Sequence, residues 1–190
     1  MTKSRLEAFS DGVLAIIITI MVLELRAPEG DSLAALREII PTLLGYALSF
    51  VFVGIYWNNH HHLFQAVQVV DGRVLWANLH LLFWLSLVPF ATAWMGDNGF
   101  SSWPVAFYGT VLLLAGAAYY VLVRTLLARH DEDSVLAKAI GIDTKGRLSL
   151  VLYALGIVLA VGRPLWACAL YVLVAVIWLV PDRRIERHLG

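Results

Sequence analysis

Apolar runs near membrane-spanning length dominate this chain of 190 residues. There are six, at about residues 8–25, 39–57, 74–95, 104–127, 148–162 and 164–180, the second able to continue as helix to Phe64. A bilayer core about 30 Å thick takes about 20 apolar residues as helix, and helices close their own backbone hydrogen bonds where no water is present. Composition agrees: 60% of residues are hydrophobic and 15% charged, against about half and a quarter in a soluble domain. The expected fold is therefore all-α and integral to the membrane, with residues 1–190 forming one domain of six transmembrane helices. The fifth run is short and meets the sixth at Gly162-Arg163-Pro164, which predicts a tight helical hairpin.

Several classes of function are disfavoured at once. Formal net charge is zero, so a basic surface for nucleic acid is not supported. The single cysteine, Cys168, cannot form an intrachain disulfide. No nucleophile–base pair, phosphate loop or HExxH motif is present, and no enzyme activity or cofactor is expected. The first run is too long for a signal-peptide core and ends in Glu24 and Arg26, which reads as a helix that stays in the membrane. Lysine and arginine set the orientation. With the N-terminus inside, the inner segments hold Lys3, Arg5, Arg73, Arg124, Arg129, Lys138, Lys145, Arg147, Arg183, Arg184 and Arg187, and the outer ones Arg26, Arg37 and Arg163. That bias predicts a multi-pass cell-membrane protein with both termini in the cytoplasm. The loop from His130 to Gly146 is the one long polar connection and has room for a short surface helix.

The first helix carries the chemistry. Asp11 is followed by apolar sequence to Leu23, broken only by Thr19, and a carboxylate at that depth faces a bundle interior or water. At about 100° per residue, Gly12, Ile16, Thr19 and Leu23 fall within roughly 60° of one another, whereas Asp11 points roughly 100° away and Ser10 further still. Two readings fit this stripe. One is packing: Gly12 admits a close neighbour and Thr19 bonds its own backbone, and the pattern alone favours this. The other is a pore lining, in which rings of Ile16 and Leu23 form constrictions that gate by dewetting and Thr19 hydroxyls replace part of an ion's hydration.

The string Arg5-x-x-x-Phe9-Ser10-Asp11-Gly12, continuing to Ala15-Ile16, Thr19 and Leu23-Glu24, resembles the signature of the transmembrane protein 175 family. Tyr56-Trp57-x-x-His60-His61 and Leu85-Ser86-Leu87-x-Pro89-Phe90 are similar to the motifs of that family's second and third helices. The resemblance covers roughly residues 5–95; the second half matches in helix count and length. It implies a potassium channel, homotetrameric in the bilayer, with first helices lining a central pore. The main constriction would be Ile16, with further layers at Thr19, Ile20 and Leu23. It also implies a structural polar network that joins Arg5, Ser10 and Asp11 to the second and third helices, for which Trp57, His61 and Asn78 are the candidates. No metal is implied beyond potassium in transit.

Other polar residues carry weaker signals. His60-His61-His62 cannot chelate one ion from one helix, since neighbours point about 100° apart. At least one of them, with Asn78 or His80, is expected to hydrogen-bond toward Asp11 or Arg5. His80 reads as a satisfied core histidine; a haem site would need a second histidine opposed to it. Glu24 suits the outer mouth as a cation attractor, or an ion pair with Arg26 or Arg37. The alternative function is a proton- or cation-coupled membrane transporter that uses Asp11 and the histidines as a relay.

Overall fold

A computed structural model describes residues 2–130, 134, 136 and 143–179. Among these residues every regular element is helical. The helices are α1 (Lys3–Leu23), α2 (Leu33–Glu38), α3 (Ile40–Gln65), α4 (Gly72–Ser86), α5 (Val88–Asp97), α6 (Ser102–Leu127), α7 (Thr144–Ala160) and α8 (Pro164–Leu179). Lys138, Pro181 and the arginines at 183, 184 and 187 lie outside the described residues, as does most of the 130–146 loop.

Local chemistry sets the boundaries. Asp71 caps α4 by accepting from the amides of Arg73 and Val74, both at 3.0 Å. Asp143 caps α7 through the Gly146 amide at 2.8 Å, and Ser32 caps α2 through Ala35 at 3.2 Å. Pro41 and Pro164 stand in first turns, where their missing N–H has no helical partner to lose. Pro89 acts differently. It removes a donor inside the third apolar run, and that run divides into α4 and α5 at Leu87.

Among the described residues four stretches are long and apolar enough to cross a bilayer: Lys3–Leu23, Ile40–Gln65, Gly72–Asp97 (α4 and α5 together) and Ser102–Leu127. The last two helices are shorter as described. α7 has 17 residues and the described part of α8 has 16, about 24–26 Å at 1.5 Å per residue, short of about 30 Å. They pack as an antiparallel hairpin about the turn at 161–163.

α6 forms the centre, packed against α4, α5, α7 and α8, while α1 packs chiefly on α3, α4 and α5. The two ends of the bundle are defined by bonds between elements. At one end, Lys3 Nζ donates to the Gln65 carbonyl, Arg129 pairs with Asp71 at 2.8 Å and the Gln68 amide donates to His130. At the other, Ser102 Oγ donates to the Val161 carbonyl. Lys3, Arg5, Arg73, Arg124, Arg129, Lys145 and Arg147 therefore collect at the first end, and Arg26, Arg37 and Arg163 at the second.

The packing of α6 on α7 and α8 depends on Tyr171, fully buried between Gly109 and Gly156. A methyl group at position 109 would overlap the Tyr171 hydroxyl, which donates to the Val105 carbonyl at 3.4 Å. Gly109→Ala is expected to lower stability by about 1–3 kcal/mol through overpacking. Thermal unfolding of the purified protein in detergent measures this. Gly162→Ala, with nothing within 4 Å of the added methyl, is the matched change expected to have no effect.

Candidate functional site

α1 has two opposed stripes. Leu6, Ser10, Leu14, Ile17 and Met21 recur at intervals of three and four and are all buried against α3, α4 and α5. On the other side Gly12, Ile16, Thr19, Ile20 and Leu23 are exposed on the single chain, Ile16 to 58% and Leu23 to 78%. A Cβ at Gly12 would meet nothing within 4 Å, so packing inside the chain does not account for that glycine. One flank of the exposed stripe borders an open groove of about 350 Å³, where Ile16 and Ile20 face Ser86, Pro89 and Phe90 across the α4–α5 break.

Thr19 Oγ1 donates to the Ile16 carbonyl at 2.9 Å. A hydroxyl has one proton and two lone pairs. With the proton committed to the backbone, the exposed side chain presents oxygen lone pairs, the polarity that a cation requires. Glu24, at the end of α1, is exposed and pairs with neither Arg26 nor Arg37 among the described residues.

Behind the stripe, three helices are joined by buried polar side chains. The Asn78 amide donates from Nδ2 to Ser10 Oγ at 2.9 Å, and Ser10 Oγ donates to the Leu6 carbonyl at 2.9 Å. Asn78 Oδ1 lies 2.8 Å from His60 Nε2. An amide oxygen only accepts, so His60 carries its proton on Nε2. The donors therefore run in one direction, from α3 through α4 to α1. Ser10 and Asn78 are fully buried, and His60 nearly so. The His60 ring also stacks on Phe64, with centroids 4.4 Å apart.

A second, more exposed pairing lies beside it. Trp57 Nε1 donates to Asp11 Oδ1 at 3.1 Å, and the Trp57 ring stacks on His61 at 6.2 Å. His61 turns its Nε2 to Gln65 at 2.9 Å. Thus Ser10, Asn78 and His60 form one group, and Asp11, Trp57 and His61 another. Arg5 enters neither and makes no hydrogen bond or ion pair among the described residues. The physical reason is helical phase: Arg5 lies about 140° from Ser10 around α1 and within about 20° of Gly12 and Ile16. His80 also departs from expectation. It is exposed, and its Nε2 accepts from Trp84 on its own helix at 3.0 Å.

The family model for the endosomal/lysosomal potassium channel TMEM175 matches residues 5–89. A potassium channel from a Chryseobacterium species is 56% identical over 189 residues, covering 100% of this chain and 98% of that one. The chain belongs to the TMEM175 family. The crystal structure of a lysosomal potassium-selective channel TMEM175 homologue from Chamaesiphon minutus shares the fold with a TM-score of 0.79 at 25% identity, covering 94% of this chain and 96% of that chain. The endosomal/lysosomal proton channel TMEM175 of Gallus gallus is 35% identical over 103 residues, 48% of this chain and 21% of its own length.

TMEM175 proteins are membrane channels, not an enzyme family. The stretch matched by the TMEM175 family model contains the α1 stripe and every member of both polar groups. One feature near it was not legible in the sequence. Ser49, Thr92 and Tyr108 tie α3, α5 and α6 together at 2.6 and 2.9 Å. Thr92 donates its one proton to the Val88 carbonyl, so Ser49 donates to Thr92 and Tyr108 donates to Ser49. Small hydroxyls scattered over three separate runs give no periodic signal.

Proposed function

We propose that this chain is a potassium-selective channel in which four copies surround an axis lined by their α1 helices. Ile16 forms the hydrophobic constriction, followed outward by Thr19, Ile20 and Leu23. The hairpin of α7 and α8 completes six crossings of the cell membrane, and both termini lie in the cytoplasm, in accord with the collection of basic residues at one end of the bundle. The observation that carries the reading is the unpartnered stripe on α1, exposed along its length while the opposite stripe is packed. Nothing within the chain approaches the position of a Cβ at Gly12, so the glycine leaves room for a neighbour from another copy. The names of the Chryseobacterium and Chamaesiphon relatives support potassium as the ion. A ring of isoleucines excludes water and offers a dehydrated ion no ligand, so it gates, while Thr19 oxygens discriminate.

The test is reversal potential in a planar bilayer with potassium on one side and sodium on the other. Reversal toward the potassium equilibrium potential is expected. Thr19→Val should reduce the potassium-to-sodium permeability ratio about two- to tenfold, from the roughly 0.5–1.5 kcal/mol that one polar contact contributes. An unchanged potential removes Thr19 from discrimination. Because some relatives are named proton channels, the measurement is repeated across a pH gradient. Currents that follow only the proton gradient, or a silent but stable oligomer, would defeat the potassium reading in favour of proton conduction or coupled transport.

A further inference from the structure

An open cleft of about 580 Å³ lies between α4 and α6, away from the α1 stripe, lined by Asp71, Arg73, Trp76, His80, Val121 and Thr125 among others. Its rim is at the end of the bundle where α4 begins and α6 finishes. Two groups on that rim are already occupied. Asp71 accepts both first-turn amides of α4 and pairs with Arg129 at 2.8 Å. The Val74 amide, followed by Arg129, holds its carboxyl below the usual carboxylate range. Arg73 is exposed, and its charge also acts on the Asp71 carboxyl, but its guanidinium makes no hydrogen bond or ion pair among the described residues. Arg124, beside Thr125, is exposed as well. Among the described residues the rim therefore has Arg73 and Arg129 against one carboxylate, Asp71.

The wall below has the opposite character. Trp76 is 75% exposed, and Phe83 is exposed two turns further along α4. Val121 lines the cleft opposite Trp76 from α6, and Phe83 lies beyond the cleft on the same face of α4 by helical phase. His80 accepts from Trp84 at Nε2, so its proton is on Nδ1 and available to a polar group of a ligand. From Arg73 to Phe83 the helix rises about 15 Å, half of a hydrocarbon core about 30 Å thick. The cleft thus has a cationic head and an amphipathic tryptophan just beneath it, and the same face of α4 runs on past the cleft to Phe83, one leaflet from Arg73.

We propose that this cleft binds an anionic phospholipid of the leaflet at the α1 N-terminal end, with the headgroup phosphate on Arg73 and an acyl chain along Trp76, Phe83 and Val121. Charge selects the headgroup and the apolar face selects a lipid over a free anion. The assignment does not depend on the pore. It requires that the bundle be embedded in a membrane with this face turned to lipid and not to a neighbouring copy.

Native mass spectrometry of the purified, delipidated protein, titrated with phosphatidylglycerol or with phosphatidylcholine of identical chains, tests it. Wild type should retain phosphatidylglycerol about fivefold more tightly, the effect of one arginine near an anionic surface. Arg73→Gln should erase the preference, and Thr125→Glu, which adds a repelling carboxylate to the cleft, should do the same. Arg37→Gln, at the opposite end of the bundle, should retain it. Size exclusion establishes that each variant assembles; if Arg73→Gln does not, Thr125→Glu decides. Equal retention of the two lipids by wild type, or a preference that survives in the assembled cleft variants, would overturn the proposal. Displacement of the lipid by a tenfold excess of inorganic phosphate would also overturn it, identifying a free-anion site instead.

Discussion

Ile16→Asn is expected to raise single-channel conductance about tenfold and to lower the preference for potassium over sodium. The first effect follows from the barrier that an apolar ring sets against water and ions. Each 1.4 kcal/mol removed from it multiplies the rate about tenfold, and an amide at the narrowest ring both wets the pore and widens it. The second follows because ions that pass with their hydration shells present similar surfaces. The substitution should leave the chain intact. Ile16 is 58% exposed and lines the groove beside Pro89 and Phe90, so little packing is lost. Bilayer recordings of the variant and wild type, under the same ionic gradient, make the comparison. Conductance and selectivity both unchanged would take Ile16 out of the permeation path.

Asn78→Leu should act in the reverse way, on the fold and not on the ion. Leucine fills the volume but leaves His60 Nε2 without its acceptor and Ser10 Oγ without its donor, both buried. A buried donor or acceptor left without its partner costs about 1–3 kcal/mol, so leaving two should reduce stability by about 2–4 kcal/mol. Unfolding in detergent measures this, and a cycle with Ser10→Ala isolates the pair. Asp11→Ala removes only the more exposed bond to Trp57 and should cost less. Equal losses for Asn78→Leu and Asp11→Ala would mean that the buried group contributes nothing special. The Asn78→Leu protein that does assemble should conduct with wild-type selectivity, because Asn78 lies behind the stripe.

These two variants separate what α1 does on each side, and the sequence was informative about both sides to different degrees. The stripe of Gly12, Ile16, Thr19 and Leu23 could be found by counting residues, since helical phase alone places them together. What counting left open was whether another part of the same chain covers the stripe. The structure leaves it bare, and Thr19 turns its proton to the backbone. On the packed side, the sequence drew attention to Trp57, His61 and Asn78 but did not decide their partners. His60, not His61, meets Asn78 because the two histidines point about 100° apart on α3 and only one direction faces α4. Arg5 is separated from Ser10 for the same reason.

Membrane character, helical class and the positions of the apolar runs were determined by the sequence alone. These depend on properties that accumulate along the chain: apolar length against bilayer thickness, and the bias of lysine and arginine between loops. The break at Leu87 was also local, since Pro89 removes a backbone donor wherever it stands. Only the tertiary structure decided which of three consecutive histidines is buried, that His80 faces outward, that Ser49, Thr92 and Tyr108 form one chain of hydroxyls, and that α4 and α6 leave a cleft rimmed by Arg73. Each of these depends on where two helices come into register and how each is rotated about its axis, and apolar runs of similar composition do not specify either.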